Sequence, residues 1–213
     1  MKVELLEVFG NDEVIANCAR VSYLKEASNY SDKQNEKLIN FLARENHWSP
    51  FSHPKLQFRL QIPIYVERQL IKTQAGVEYN SISGRYVDFS DTYYEIEQFR
   101  TQSKDSKQGS GEDLGEYENL VALQIQEKSI AFAKKHYEEL ISLGVSKEQA
   151  RSVLPLSLET TMIWTGSFYS FIRLYKQRTK PDAQKEINIV VSLMMEELKK
   201  TDNFKHSLKA FGL

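Results

Sequence analysis

Residues 55–73 read KLQFRLQIPIYVERQLIKT, and this stretch holds two different hydrophobic periods. Apolar residues alternate with polar ones from position 56 to position 62, which predicts a strand with one buried face. Pro63 then stands where a helix can begin. In the segment that follows, Arg68 and Lys72 are four residues apart and share one helical face. A strand that leads directly into a helix indicates a chain of mixed α and β structure.

The rest of the chain extends this α+β (mixed α/β) prediction, with more helix than strand. A strand is expected at 3–9 and a β-like run at 158–164, in a central, largely antiparallel sheet flanked by helices. Helices are expected at 11–23, 31–46, 64–73, 113–143, 146–154, 167–177 and 183–199, with a short one in the C-terminal tail. Residues 74–88 lack a helical period and are expected to form an irregular loop. The polar segment 101–118 is expected to begin as a mobile surface loop. No linker or repeat divides the chain, so residues 1–213 are expected to form a single domain.

Composition and charge exclude several classes of protein. The 213 residues carry 28 Lys and Arg against 29 Asp and Glu, so no basic excess points to nucleic-acid binding. One cysteine, Cys18, excludes an internal disulfide and a multi-cysteine metal centre. The four histidines do not have metal-ligand spacing, so no metal site is expected. Neither a secretory signal nor an apolar stretch of about 20 residues is found, and we expect a cytoplasmic protein without a membrane partner.

Polar residues in two segments are candidates for ligand binding. The loop NSISGRY at 80–86 offers hydroxyls, backbone N–H groups and Arg85, a combination that suits a phosphate, although this motif alone favours a plain β-turn with a surface arginine. The segment YKQRTKPDAQ at 175–184 contains Arg178 between two lysines that we expect to be solvated. Arg151 and Arg173 add further guanidinium groups. Because arginine favours bidentate contacts and stacking, these arginines suggest a planar, anionic ligand.

The order of six segments carries more information than any one of them. The segments are ARVSY (19–23), HWSPFSH (47–53), RQLIKTQ (68–74), NSISGRY (80–86), ARSVLPL (150–156) and RTKPDAQKEI (178–187). This series resembles the flavin-dependent thymidylate synthases over most of the chain. The family signature has an Arg-His-Arg triplet, an Asn-Glu pair and a closing Ser-x-Arg-Tyr. The closing half is intact here, whereas Lys72, Thr73 and Gln74 stand in place of the triplet and Ser81 in place of the glutamate.

The resemblance implies a flavin-dependent thymidylate synthase-like fold and a defined reaction. Members of the family methylate deoxyuridylate (dUMP) at C5 of uracil to give thymidylate (dTMP). Methylenetetrahydrofolate supplies the carbon, and FAD reduced by NADPH supplies the reducing equivalents. The flavin activates the ring, so the protein needs no nucleophile, which suits a chain whose only cysteine is expected to be buried. The family forms homotetramers with shared active sites, which predicts apolar subunit contacts, for example along 183–199, although a Met and Leu stripe at helical spacing is more often plain core.

The resemblance also assigns roles to individual residues. Arg178 matches the catalytic arginine that faces the uracil ring, where a fixed cation would stabilise developing negative charge; from local sequence alone it could also be a surface arginine at a helix end. The substrate-binding set is Gln69, Ser83, Gly84, Arg85, Arg151 and Arg178. The flavin-binding set is Ser22, His47, Ser49, Lys72, Thr73, Gln74, Asn80 and Arg173.

Three other interpretations of the sequence stay open. The altered signature could belong to a flavin-dependent enzyme that modifies a pyrimidine nucleotide differently, for example by hydroxymethylation. It could also belong to a nucleotide-binding homologue without catalysis, although retention of Arg85, Arg151 and Arg178 argues against that loss. An α/β interaction module with chance matches is the third alternative.

We predict that Arg85→Ala weakens the binding of dUMP about tenfold to a hundredfold, because a charge-assisted contact to phosphate is lost. Deoxyuridine, which lacks the phosphate, should bind the variant and the native protein almost equally. Calorimetric titration of both ligands tests this prediction. Equal weakening of the two would remove Arg85 from the phosphate site.

Overall fold

A computed structural model describes residues 1–84, 92–104 and 109–213. Its strands are β1 (Lys2–Phe9), β2 (Lys55–Pro63), β3 (Val77–Ser81), β4 (Arg100–Gln102), β5 (Ser110–Asp113) and β6 (Glu159–Ser167). Its α-helices are α1 (Asp12–Arg20), α2 (Asp32–Arg44), α3 (Ile64–Leu70), α4 (Glu116–Ser142), α5 (Lys147–Ala150), α6 (Phe168–Arg178), α7 (Lys185–Lys199) and α8 (Lys205–Ala210). Four strands form an antiparallel sheet in the order β1-β2-β6-β3, and β4 pairs with β5. The predicted mixture of helices with an antiparallel sheet is therefore confirmed.

The centre of the sheet is the pair β2 and β6. Lys55 is opposite Ser167 at one end, and Pro63 is opposite Glu159 at the other. On the buried face Phe58 is opposite Trp164, and their ring centroids are 6.0 Å apart with neither side chain exposed. The alternating pattern seen in residues 56–62 corresponds to this buried face.

Helix α7 packs into the same core as the sheet. Ile187, Val190, Val191 and Met194 are fully buried within the chain. The prediction that the stripe of 183–199 points inward is therefore confirmed, and its use as a subunit contact is wrong, because it contacts the chain's own sheet and helices.

Helix α4 carries exposed apolar side chains instead. Leu120, Ile125 and Phe132 are 54%, 61% and 64% exposed, respectively, and only two residues of this 27-residue helix are buried. In the described part of the chain no helix, α4 included, combines the length and the hydropathy that crossing a bilayer requires.

Residues 77–81 form a strand, so the expected irregular loop at 74–88 is wrong for this part. β3 pairs with β6, and Val77 lies opposite Gly166. Val77 is buried and Tyr79 half-buried on alternate positions, and pairing with an existing strand outweighs the turn-forming residues around them. Residues 85–88 of the expected loop lie outside the described residues.

The expected mobile loop in 101–118 contains a β-ribbon. β4 and β5 pair antiparallel, and Arg100 bonds to Ser110 across the ribbon at 2.7 Å and to Glu186 of α7 at 2.6 Å. The long helix begins at Glu116, after an N-cap at Gly115, rather than at 113, because Asp113 is still part of β5. Residues 105–108 lie outside the described residues.

Gly166→Ala should destabilise the fold by about 1–3 kcal/mol, the usual cost of overpacking a core. A Cβ atom at Gly166 would lie 2.5 Å from Cη2 of Trp164, and the indole cannot retreat because it is fully buried. Urea unfolding followed by tryptophan emission measures the effect.

Gly115→Ala is the matched control for this substitution. The only obstruction there is the carboxylate end of Glu118, which is free to rotate away, and a cap effect below about 1 kcal/mol is expected. Equal losses in the two variants would contradict the packing argument.

Candidate active site

Three segments far apart in sequence meet where β2 begins and β6 ends. The Ser167 amide donates to the Gly76 carbonyl at 3.0 Å, and the Phe168 amide donates to the Pro54 carbonyl at 3.0 Å. The loop before β2, the loop before β3 and the start of α6 therefore share one end of the sheet. Three cavities lie along these segments.

The loop 72–76 is fixed to α6 by serine hydroxyls. Ser170 Oγ donates to the Ala75 carbonyl at 2.7 Å, and Ser167 Oγ donates to Ser170 Oγ at 2.8 Å. Gly76 has φ of +75°, and a Cβ there would lie 2.5 Å from Ser170 Oγ, so this close approach needs glycine. Tyr79 adds hydrogen bonds from its hydroxyl to the carbonyls of Leu70 and Thr73.

A cavity of about 670 Å³ lies between this loop and α6, and we call it the basic cavity. It is lined by Lys72, Thr73, Gln74, Ala75, Ser170, Arg173, Lys176, Gln177, Arg178 and Lys180. Five of these ten residues are cationic and none carries a carboxylate. In such a cavity the potential is positive, so an anionic ligand is favoured.

Two buried polar atoms next to the basic cavity have no partner among the described residues. They are Nε of Arg178 and Oε1 of Gln69. Arg178 is held in place by a 3.4 Å hydrogen bond from Nη2 to the Gln69 backbone carbonyl. A buried donor and a buried acceptor left unpaired cost free energy, which a ligand with the complementary groups would recover.

Two further cavities continue from the basic cavity, one after the other, and we call the three together the groove. The aromatic cavity, of about 430 Å³, shares Ala75, Ser170 and Arg173 with the basic cavity. Its other lining residues are Trp48, Ser52, Lys55, Gly76, Ser167 and Tyr169. The loop cavity, also about 430 Å³, shares Trp48 with the aromatic cavity. Its other lining residues are Cys18, Ala19, Ser22, Leu42, Asn46, His47, Ser49 and Pro50.

Comparison with known proteins identifies the family. The family described as "Thymidylate synthase complementing protein" matches residues 4–202. The chain belongs to the flavin-dependent thymidylate synthase family. A flavin-dependent thymidylate synthase of Kosmotoga olearia is 35% identical over 189 residues, which cover 87% of this chain and 79% of that protein. One of Thermus thermophilus is 35% identical over 197 residues, covering 92% and 71%.

A solved structure shows the same fold. The crystal structure of a UMP/dUMP methylase, PolB from Streptomyces cacaoi, bound with 5-Br dUMP superposes with a TM-score of 0.87 and 25% identity. The match covers 99% of this chain and 94% of that one. As a member of this family, the chain is an enzyme of the methyltransferase type with a flavin cofactor.

The structure brings most of the residues assigned to flavin by resemblance into this groove. Lys72, Thr73, Gln74 and Arg173 line the basic cavity, and Ser22, His47 and Ser49 line the loop cavity. The donor set fits a flavin dinucleotide, because cations and hydroxyls suit its diphosphate. Asn80 is in β3, opposite Ile163, and lines none of these three cavities.

The residues assigned to the nucleotide do not all lie together within this chain. Gln69 and Arg178 are in contact. Arg151 is exposed, donates from Nε to the Glu148 carbonyl at 3.2 Å, and lines none of the three cavities. Ser83 and Gly84 follow β3, and Arg85 and Tyr86 lie outside the described residues.

Sequence reasoning assigned no ligand role to several lining residues that carry a cation or a large aromatic ring. Lys176 and Lys180 are exposed, as expected for solvated side chains, and both also line the basic cavity with Arg173. The spacing of three residues between Arg173 and Lys176 is the signal that could have found Lys176, since it places both on one side of α6. Trp48 and Tyr169 line the aromatic cavity, and their local sequence gave no sign of it.

Metal-ligand clusters and the state of the one cysteine thiol both bear on the chemistry of the site. No cluster of three His, Cys, Asp or Glu side chains suited to a metal ion is found among the described residues. Cys18 is half-buried, and burial raises the pKa of its thiol, which disfavours the reactive thiolate.

We predict that Ser170→Ala lowers the free energy of unfolding by about 1–2 kcal/mol, because the Ala75 carbonyl and the Ser167 hydroxyl lose their buried partner. The matched control is Ser142→Ala at the exposed end of α4, where the hydroxyl donates to the Glu139 carbonyl at 2.7 Å. That change should cost less than about 0.5 kcal/mol. Urea unfolding of both variants measures the difference, and an unaffected Ser170→Ala would mean that the serine pair does not hold the loop.

Proposed function

We propose that this enzyme is an FAD-dependent thymidylate synthase that converts dUMP to dTMP. Methylenetetrahydrofolate donates a one-carbon unit to C5 of uracil, and NADPH supplies the two electrons that bring this carbon to the methyl level. The observation that carries the proposal is the unpartnered pair, Arg178 Nε and Gln69 Oε1, beside a cavity whose charged residues are all cations.

The uracil ring complements this pair of atoms. It carries one N–H donor flanked by two carbonyl acceptors, so Gln69 Oε1 can accept from the ring and Arg178 Nε can donate to it. The guanidinium also places a fixed positive charge near a carbonyl on which negative charge develops when C5 acts as a nucleophile. Arg178 is therefore the proposed catalytic residue, and Gln69 orients the ring.

The basic cavity is the proposed site of the flavin diphosphate. Lys72 and Arg173 approach it from the loop and from α6, and Thr73 and Gln74 supply hydrogen bonds. The remaining flavin contacts are proposed to come from Ser22, His47 and Ser49 in the loop cavity and from Asn80 in β3. A flavin held there would supply reducing equivalents and would activate the ring without a protein nucleophile.

The phosphate of dUMP is proposed to bind Ser83, Gly84, Arg85 and Arg151. Because Arg151 is exposed and away from the three cavities of its own chain, it fits a role in a neighbouring subunit of a homotetramer. The exposed apolar side chains of α4 would form such subunit contacts. We propose that the 213 residues act as one domain in a cytoplasmic homotetramer.

Methylation of UMP is the second candidate function. The neighbour with a TM-score of 0.87 is described as a UMP/dUMP methylase. The two substrates differ only at the ribose 2′ position, so the same Arg178 chemistry would serve both.

Turnover of the purified, flavin-stripped protein tests the proposed function. The reaction contains NADPH, methylenetetrahydrofolate and equal amounts of dUMP and UMP, without oxygen, and products are measured by mass. We expect dTMP only when FAD is added. Methylated UMP as the main product would favour the second candidate, a hydroxymethylated nucleotide would point to the other flavin chemistry, and nucleotide binding without conversion would contradict catalysis.

We predict that Arg178→Ala lowers kcat about a hundredfold to a thousandfold, the usual cost of removing a preorganised charge from a reacting centre. FAD retention should change much less, because the other cations of the basic cavity remain. Arg59→Ala, which removes an exposed arginine paired with Glu4, is the control and should turn over normally. A comparable loss of turnover and flavin binding in Arg178→Ala would place this residue at the flavin instead.

A further inference from the structure

The indole of Trp48 is exposed to solvent at the groove. It is 53% exposed, whereas the other tryptophan, Trp164, is fully buried. Its ring stacks on Tyr169, with centroids 6.0 Å apart and planes 25° from parallel. A large aromatic surface left uncovered beside a cavity is characteristic of a binding site, because its burial by a ligand is favourable.

The pair is held in place before any ligand arrives. Trp48 lies directly before the short 3₁₀ turn Ser49–Ser52, and its carbonyl accepts from the Phe51 amide at 3.1 Å. Tyr169 belongs to the first turn of α6, and its ring also packs on Phe211, with centroids 6.3 Å apart. Such preorganisation lowers the entropic cost of binding.

The position of the pair in the groove indicates the chemistry of its ligand. Trp48 lines both the aromatic cavity and the loop cavity. Arg173 lines both the aromatic cavity and the basic cavity, and Lys55 adds a second cation to the aromatic one. A ligand that fits has a planar ring joined to an anionic group that reaches Arg173.

We propose that Trp48 and Tyr169 form a stacking platform for one aromatic ring of a dinucleotide whose diphosphate lies in the basic cavity. Ring stacking on aromatic side chains is tolerant of ring identity, so FAD and NADPH share the required chemistry. The proposal deepens the proposed function and rests on it for the diphosphate position. It adds two residues to which the family resemblance assigns no role.

The first test measures dissociation constants of FAD and NADP⁺ for flavin-stripped protein. Trp48→Ala should weaken the ligand that stacks there about tenfold, and Trp48→Phe, which keeps a ring, should recover most of that loss. Arg59→Ala is the control, since it removes a side chain that is 50% exposed on β2 and lines none of the three cavities, and it should bind like the native protein.

The affinities of fragments of the dinucleotides identify which ring stacks on Trp48. If the isoalloxazine ring stacks on Trp48, riboflavin loses affinity in Trp48→Ala and ADP does not. If adenine stacks there, ADP loses affinity and riboflavin does not. In the second case ADP should also protect native tryptophan emission from acrylamide, because Trp164 is buried and the accessible signal comes from Trp48.

Several outcomes would overturn the proposal. Unchanged FAD and NADP⁺ affinities in Trp48→Ala would do so while leaving the proposed function intact. A loss of affinity in Trp48→Phe as large as that in Trp48→Ala would also do so. A changed sedimentation of Trp48→Ala with unchanged affinity would do so too, and would make this face a contact between copies of the chain. Native protein that binds neither dinucleotide would contradict the proposed function as well.

Discussion

The antiparallel pairing of β2 with β6 is the constraint on which the site depends. Because Lys55 is opposite Ser167, the loop that enters β2 and the helix that leaves β6 are at the same end of the sheet. β3 pairs on the other edge of β6 with Val77 opposite Gly166, which brings the loop 72–76 to that end too. One register therefore assembles all three walls of the groove, and a slip of one residue would turn each strand's buried face outward.

The cations of the groove come from helix α6 and the residues after it as well as from the loop 72–76. The signature of the family places its basic residues in a triplet, of which only Lys72 keeps a charge here. Arg173, Lys176 and Lys180 line the same cavity from α6 and the residues just after it. A helix anchored by the Ser167 and Ser170 hydroxyls holds charge in fixed positions, so the anionic ligand meets a preformed field rather than a flexible loop.

Much of this fold was predictable because strong periods coincide with burial. The alternation in 56–62 identified β2, and the helical spacing after Ser167 identified α6. The strand β3 was not predictable, because its five residues gain their stability from β6 rather than from their own propensity. The role of α7 was ambiguous for a related reason, since an apolar stripe looks the same whether it faces the chain's own core or another subunit.

Site residues were predictable to different degrees. Segment order placed Arg178, Lys72 and His47 in the groove, because order along the chain reflects a shared fold. Trp48 could not be assigned, since its role arises from a neighbour more than 100 positions away, Tyr169. The unpartnered state of Gln69 Oε1 and Arg178 Nε is a property of packing alone.

Hydrogen exchange of the flavin-stripped protein, with and without FAD, tests the central claim that the three segments form one flavin groove. The account predicts that amides in 47–54, 72–76 and 167–178 become protected together when FAD binds, while those of α4 do not change. Protection confined to one of these segments, or located on α4, would contradict it.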